Sequence, residues 1–210
     1  MTKKAYSSLE LLDCMGRVVK NYPPSLSVQL INEYGCDPFL ILISCLLSLR
    51  ARDTMTYPIF KKLWKRAKTP QELLALSSEE LETLVRPLGF FRQKARVLHE
   101  VSVALLQNHG GLVPQGEAEL LALPGVGRKT MALVRAEAFL KPELCVDTHV
   151  HRIAHHLGLV QTNTVEETEI ALKKLFPPER WAEVNRVFVV WGQQVCRVGL
   201  KRCVCFEALI

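Results

Sequence analysis

Apolar residues return every three or four positions along most of the chain, as at Leu9, Leu12, Met15 and Val19, and again at Val97, Val101 and Leu105. That period lines one face of a helix, and no stretch sustains the apolar–polar alternation of a half-buried strand. The pattern predicts an all-α protein. Start signals agree with it. Asp37-Pro38 and Thr69-Pro70 each pair an N-cap side chain with proline in the first turn, and Ser77-x-x-Glu80 and Thr164-x-x-Glu167 read as capping boxes. Stops are expected at Gly89, Gly110-Gly111, Gly158 and Pro177-Pro178. Together these signals predict roughly nine or ten short helices with brief connections. No internal repeat or low-complexity linker marks a domain boundary.

Composition adds limits. A chain of 210 residues with 49% hydrophobic content can bury a sizeable core, and a net charge of +6 favours a polyanionic partner without naming one. The N-terminal "MTKKAYSSLELLDCMGRVV" has no uninterrupted apolar core of the signal-peptide kind. The longest apolar run, "FLILISCLL", is too short to span a bilayer. An intracellular protein with no membrane association is expected. Seven cysteines, four of them scattered among apolar residues, do not resemble a secreted disulfide framework.

The stretch "LPGVGRKT" at residues 123–130 carries the first chemical signal. A nucleotide-phosphate loop needs four residues between its first glycine and a Gly-Lys pair, whereas Gly125 and Gly127 are two apart and Arg128 intervenes before Lys129. That possibility fails on spacing. What remains is helix, glycine turn, helix. Such a turn can bring backbone close to a partner and offer the next helix's free N–H groups to a phosphate. It can equally be a tight turn between packed helices.

With "CVDTHVHRIAHHLGL" following it, "LPGVGRKT" resembles the helix-hairpin-helix and Gly/Pro-Asp loop of the endonuclease III family of DNA repair glycosylases. Asp147 stands eighteen positions after Lys129, the separation of that family's catalytic pair. The likeness extends to "DPFLILISCLLS", "GFFRQKARVL", "HGGLVP" and the tail from "VEETEIALKKLFP" to Cys203. It implies two helical lobes, residues 31–142 carrying the hairpin and residues 1–30 with 143–210 carrying the Gly/Pro-Asp loop, with duplex DNA in the cleft between. It implies a bifunctional glycosylase and abasic-site lyase acting as a monomer on duplex DNA that holds a damaged base, an oxidised pyrimidine, or an abasic site. In a bacterium, that work would be done in the cytoplasm or nucleoid.

By resemblance, Lys129 is the nucleophile and Asp147 the carboxylate that stabilises positive charge on the sugar. The amine must be neutral to attack, which desolvation, Arg128 and the helix start would favour. Alternatives stand beside these roles: Lys129 as a phosphate-contacting surface lysine, Asp147 as the N-cap of "THVHRIAHHL". The resemblance also makes Gly125, Val126, Gly127, Arg128 and Thr130 of the hairpin DNA contacts. It places Arg50 and Phe90 at the gap left by a flipped base, where an apolar wedge belongs. Many bacterial members carry glutamine where Arg50 stands. A helix-end arginine and a core phenylalanine are the structural alternatives. His149 would order the Asp147 loop or approach a phosphate, and Arg92, Lys94, Arg96, Arg128 and Arg135 could line the same face. An adenine glycosylase would carry a glutamate near Ser44, and none is present. A differently specific glycosylase and a catalytically silent DNA-binding module remain the rival functions.

Metal chemistry is less settled. His151 and His155 are spaced i, i+4, as a chelating pair can be, but no third ligand accompanies them at zinc-protease spacing. The family's cluster loop, Cys-x6-Cys-x2-Cys-x5-Cys, supplies four thiolates to a four-iron four-sulfur cluster. This chain has Cys196 and Cys203 at the first spacing, then Cys205 one residue early, with phenylalanine at 206. A cluster with one open iron, no stable cluster, or zinc on the three cysteines all stay open.

Overall fold

A computed structural model of the protein describes residues 6–199 and residue 205. Regular structure among the described residues is helical throughout. In chain order the α-helices are α1 (Ser8–Val19), α2 (Leu26–Tyr34), α3 (Pro38–Ser48), α4 (Asp53–Trp64), α5 (Pro70–Leu74), α6 (Ser78–Val85), α7 (Phe91–His109), α8 (Glu117–Leu121), α9 (Arg128–Ala138), α10 (Thr148–His156), α11 (Val165–Leu175) and α12 (Trp181–Val190). That is twelve among the described residues, more than the sequence pattern predicted. Two of the twelve, α5 and α8, are only five residues each, and both were marked in the sequence by local signals, the Thr69-Pro70 start and the glycine turn that follows α8.

The start signals work as read. Asp37 accepts a hydrogen bond from the Leu40 N–H at 2.9 Å, with Pro38 in the first turn. Thr69 caps α5 in the same way, and reciprocal capping boxes open α6 at Ser77 and α11 at Thr164. A further box, Ser7 with Glu10, opens α1. Each cap satisfies N–H groups that no helical carbonyl can reach. At the other end of α7, Gly110 adopts φ +60°, the left-handed stop that glycine tolerates best.

The chain divides into two compact units, Leu26–Lys141 and Met1–Ser25 with Pro142–Ile210. In the first, α3 is the axis. Phe39 through Leu47 are all buried, so this helix is covered on every side, and α2, α4, α7 and α9 pack around it. Each fully buried Leu or Ile there contributes about 1.5–3 kcal/mol. Helices α5 and α6 lie on α7, and α8 lies on α9. In the second unit, α1, α10 and α12 pack together around Leu12, Met15, Val150, Ile153, Leu172, Phe188 and Trp191. Helix α12 runs on into a widened π-type turn, Trp191–Val195, against which α10 also packs. No helix among the described residues is long and apolar enough to cross a membrane.

One surface link in the first unit responds to pH. Lys61 Nζ and Tyr57 Oη both lie 2.6 Å from the Glu33 carboxylate, joining α2 to α4. The Lys61 hydrogen bond, and after it that from Tyr57, holds the Glu33 carboxyl at about 2, below its usual 4.5. A depressed folded-state value stabilises the protein above pH 4.5, and that contribution is lost as pH falls toward 2. Glu33→Gln should therefore lower stability near neutrality slightly and converge with the parent as pH falls toward 2, flattening the acid limb of the stability curve in this window. Urea titrations of both proteins across that range check it.

Candidate active site

The hairpin is built on two glycines with different tasks. Gly125 adopts φ +76°, and a Cβ there would stand 2.5 Å from Val97 Cγ1 and 3.4 Å from Leu46 Cδ2. Backbone conformation and close packing on α7 and α3 both demand glycine. Gly127 has neither constraint: its φ is −103°, and a Cβ would meet nothing within 4 Å. It is the N-cap of α9, and no side chain caps that helix start. Open space and the N-terminal N–H groups of α9 thus coincide, the arrangement that suits an approaching phosphate.

Arg128 and Lys129 are exposed in the first turn of α9. Val126 and Thr130 are buried, so their side chains pack the hairpin and leave only main chain available to a partner. Beneath lies Cys45 of α3. Burial pushes its thiol up to about 12, with the Lys129 charge drawing it partly back. The thiol is therefore neutral and presents no anion to the amine.

The two loops expected at the flipped-base gap meet in the same unit. Arg50 and Phe90 both adopt the left-handed conformation, φ 54° and 60°, and the Arg50 guanidinium lies 5.5 Å from the Phe90 ring centroid. Phe90 is 59% exposed, so it is not a core residue. The helix-end carbonyls are taken not by Arg50 but by Lys94, whose Nζ donates to Leu47 O at 2.9 Å and to Leu49 O at 2.5 Å. Lys94 is 7% exposed, which corrects the expectation that it lines an outer basic face; burial lowers its amine from the ordinary value. The signal was available, since positions 94, 98, 101 and 105 share the apolar face of α7. Arg92 and Arg96 are exposed and lie 3.9 and 3.6 Å from Glu82 and Glu100. Arg135 is turned to Gln115 O at 2.8 Å.

In the second unit, Asp147 is the N-cap of α10 and buried. Its Oδ1 accepts from His149 N at 2.9 Å and Val150 N at 3.0 Å. Both bonds fix its rotamer. The cap uses one oxygen. His149 sits against Gly192 of the widened turn, where a Cβ would come within 2.8 Å of its Nδ1. His151 Nδ1 lies 2.7 Å from Thr168 Oγ1 and His155 Nε2 lies 3.1 Å from Thr162 Oγ1. Those two histidines are held by threonines. The histidine that joins a metal-ligating group is His156, with Cys196 and Cys205. Sequence spacing gave no hint of it, because His156 and Cys196 are forty positions apart. Cys203 lies outside the described residues.

Residues 43–178 match the model of the HhH-GPD superfamily base excision DNA repair proteins. The chain belongs to that superfamily. It is 46% identical to endonuclease III of Thermotoga maritima over 89% of this chain and 84% of the relative. The Escherichia coli K12 endonuclease III is 35% identical, covering 80% and 79%. A solved structure of endonuclease III trapped in a covalent intermediate with DNA superposes with a TM-score of 0.77, at 30% identity, over 93% of this chain and 90% of that one. Family membership makes the chain a DNA glycosylase and abasic-site lyase of base-excision repair, bound to DNA through a helix-hairpin-helix.

The two glycines separate scaffold from contact. Gly125→Ala should destabilise the fold by about 2–4 kcal/mol, from overpacking and left-handed strain. Gly127→Ala should leave thermal stability within about 1 kcal/mol, yet weaken binding to duplex DNA. Equal effects of both on melting temperature would contradict this division. Lys94→Met should strand the Leu47 and Leu49 carbonyls and cost about 1–3 kcal/mol by chemical denaturation.

Proposed function

We propose that this enzyme removes oxidised pyrimidines from duplex DNA and then cuts the strand through a Schiff base on Lys129. The observation that carries the catalytic part is the exposed Lys129 in the first turn of α9, one residue past an N-cap glycine with open space around it. A sugar–phosphate backbone can approach there. The preference for oxidised pyrimidines draws its support from the likeness to endonuclease III.

The neutral Lys129 amine attacks C1′ of the damaged nucleotide. A nitrogen–carbon bond forms as the glycosidic bond breaks, and the base leaves with the electron pair and takes up a proton. Positive charge accumulates on the sugar in that step, and the Asp147 carboxylate stabilises it. After the amine loses its proton, the sugar ring opens to a protonated imine. A proton then leaves C2′, its electrons break the 3′ carbon–oxygen bond, and the 3′ phosphate departs. Hydrolysis of the imine frees Lys129.

In the unliganded chain Lys129 is exposed, so the desolvation expected to favour its neutral form has to come from the covering DNA. Arg50 and Phe90 fill the gap left by the extruded base, with the Phe90 ring as the apolar wedge. Gly125, Gly127 and Arg128 hold the backbone, Val126 and Thr130 assist through main chain, and His149 orders the Asp147 turn.

Incubation with abasic-site duplex and borohydride should trap a covalent adduct in the parent protein and none in Lys129→Ala. Trapping that survives this substitution would sink the Schiff-base assignment. Asp147→Asn should keep the helix cap, since asparagine caps as well as aspartate. It should slow base release by about 10²–10³-fold, with DNA affinity nearly unchanged; equal loss of both would remove the carboxylate's catalytic role.

A further inference from the structure

The cysteine segment departs from the family's four-thiolate loop, and the donors it gathers are of a different kind. A four-iron four-sulfur cluster takes one thiolate on each of four irons and so spreads its cysteine sulfurs around a cube. Here the donor atoms of His156, Cys196 and Cys205 all lie within 4.8 Å of one another, and His156 Nδ1 is 3.2 Å from Cys196 Sγ. Around a single zinc ion, with Zn–S about 2.3 Å and Zn–N about 2.0 Å, tetrahedral edges measure about 3.5–3.8 Å. The three donors lie close enough together to share one such ion, and a histidine nitrogen among them departs from the all-thiolate set of a cubane.

We infer that His156, Cys196 and Cys205 form a structural zinc site in place of an iron–sulfur cluster. All three belong to the second unit, and its fold prepares the site. The widened turn Trp191–Val195 ends at Cys196, whose N–H donates to Trp191 O at 2.9 Å. Cys196 and Cys205 are buried at 1% and 0% exposure, while His156 sits at the last position of α10.

Each sulfur also has an N–H donor aimed at it. Arg152 Nη1 lies 3.6 Å from Cys196 Sγ, and Trp191 Nε1 lies 3.4 Å from Cys205 Sγ. Arg152 is held in turn by Cys196 O at 2.7 Å and Gly192 O at 3.0 Å. Such outer donors orient metal-bound thiolates and spread their charge. Two thiolates and one neutral imidazole compensate a divalent cation, leaving one tetrahedral position for a fourth donor. On binding, the thiols release their protons to solvent.

The role that follows is to fasten Cys205 and Cys196 to the end of α10, the helix that carries Asp147. It is independent of the reaction assigned to Lys129. Metal analysis of the full chain, purified anaerobically from iron- and zinc-replete cells, should find one zinc per chain and no iron–sulfur absorption. Cobalt substitution should give thiolate-to-metal charge-transfer bands that weaken in Cys205→Ser. His156 is exposed, so His156→Ala should keep its helical signal while zinc affinity falls at least about tenfold; His156→Cys should restore binding. Four irons with inorganic sulfide per chain would overturn the inference. So would zinc affinity unchanged in His156→Ala, or metal-free protein with freely reactive thiols.

Discussion

The turn between α8 and α9 can lie where it does because Gly125 brings no side chain to a place already filled by Val97 and Leu46. That close approach seats the hairpin on α7 and α3 at once. The same two helices launch the other exposed features of this unit: α3 runs out into Leu49 and Arg50, and α7 begins after Phe90. Lys94 then joins the end of one helix to the start of the other through two carbonyls. The helix start bearing Lys129 and the Arg50–Phe90 pair are thus parts of one frame, whose rigidity comes from the fully buried α3.

In the second unit, close approach does similar work at Gly192. A Cβ there would collide with His149 and come within 3.1 Å of Arg152 Nη2, so glycine lets α10 settle against the widened turn. The capping carboxylate of Asp147 takes its position from that helix. Capping and the proposed charge stabilisation are compatible because a cap needs an immobile oxygen, and a carboxylate supplies one that can also carry charge.

Much of this was legible in the sequence, and the reasons differ from residue to residue. Asp37-Pro38, Ser77 with Glu80 and Thr164 with Glu167 are local devices, so they appear in the chain as they appear in the fold. Helices of five residues carry no period, so α5 and α8 were legible only through their flanks, Thr69-Pro70 and the glycine turn. Lys94 as a residue type suggests an outer basic face, but its place on the apolar face of α7 puts it inside. Arg50 and Phe90 are forty positions apart, and their pairing was implied only by family likeness. His156 had neither local pattern nor likeness to point to it, since its partners come from the far end of the chain.

Arg50 and Phe90 also bear on what this protein gives up to stability. Each holds a left-handed conformation that glycine would adopt freely, at a cost of roughly 1–2 kcal/mol per residue. Neither side chain returns that cost through burial: both are exposed, and Phe90 leaves most of its ring in water. Replacing either with glycine would therefore relax the backbone and discard a side chain the fold does not need. At these two positions the protein falls short of the stability its fold could attain. If these two residues meet DNA as proposed, the strain that shapes them is charged to folding and not to binding.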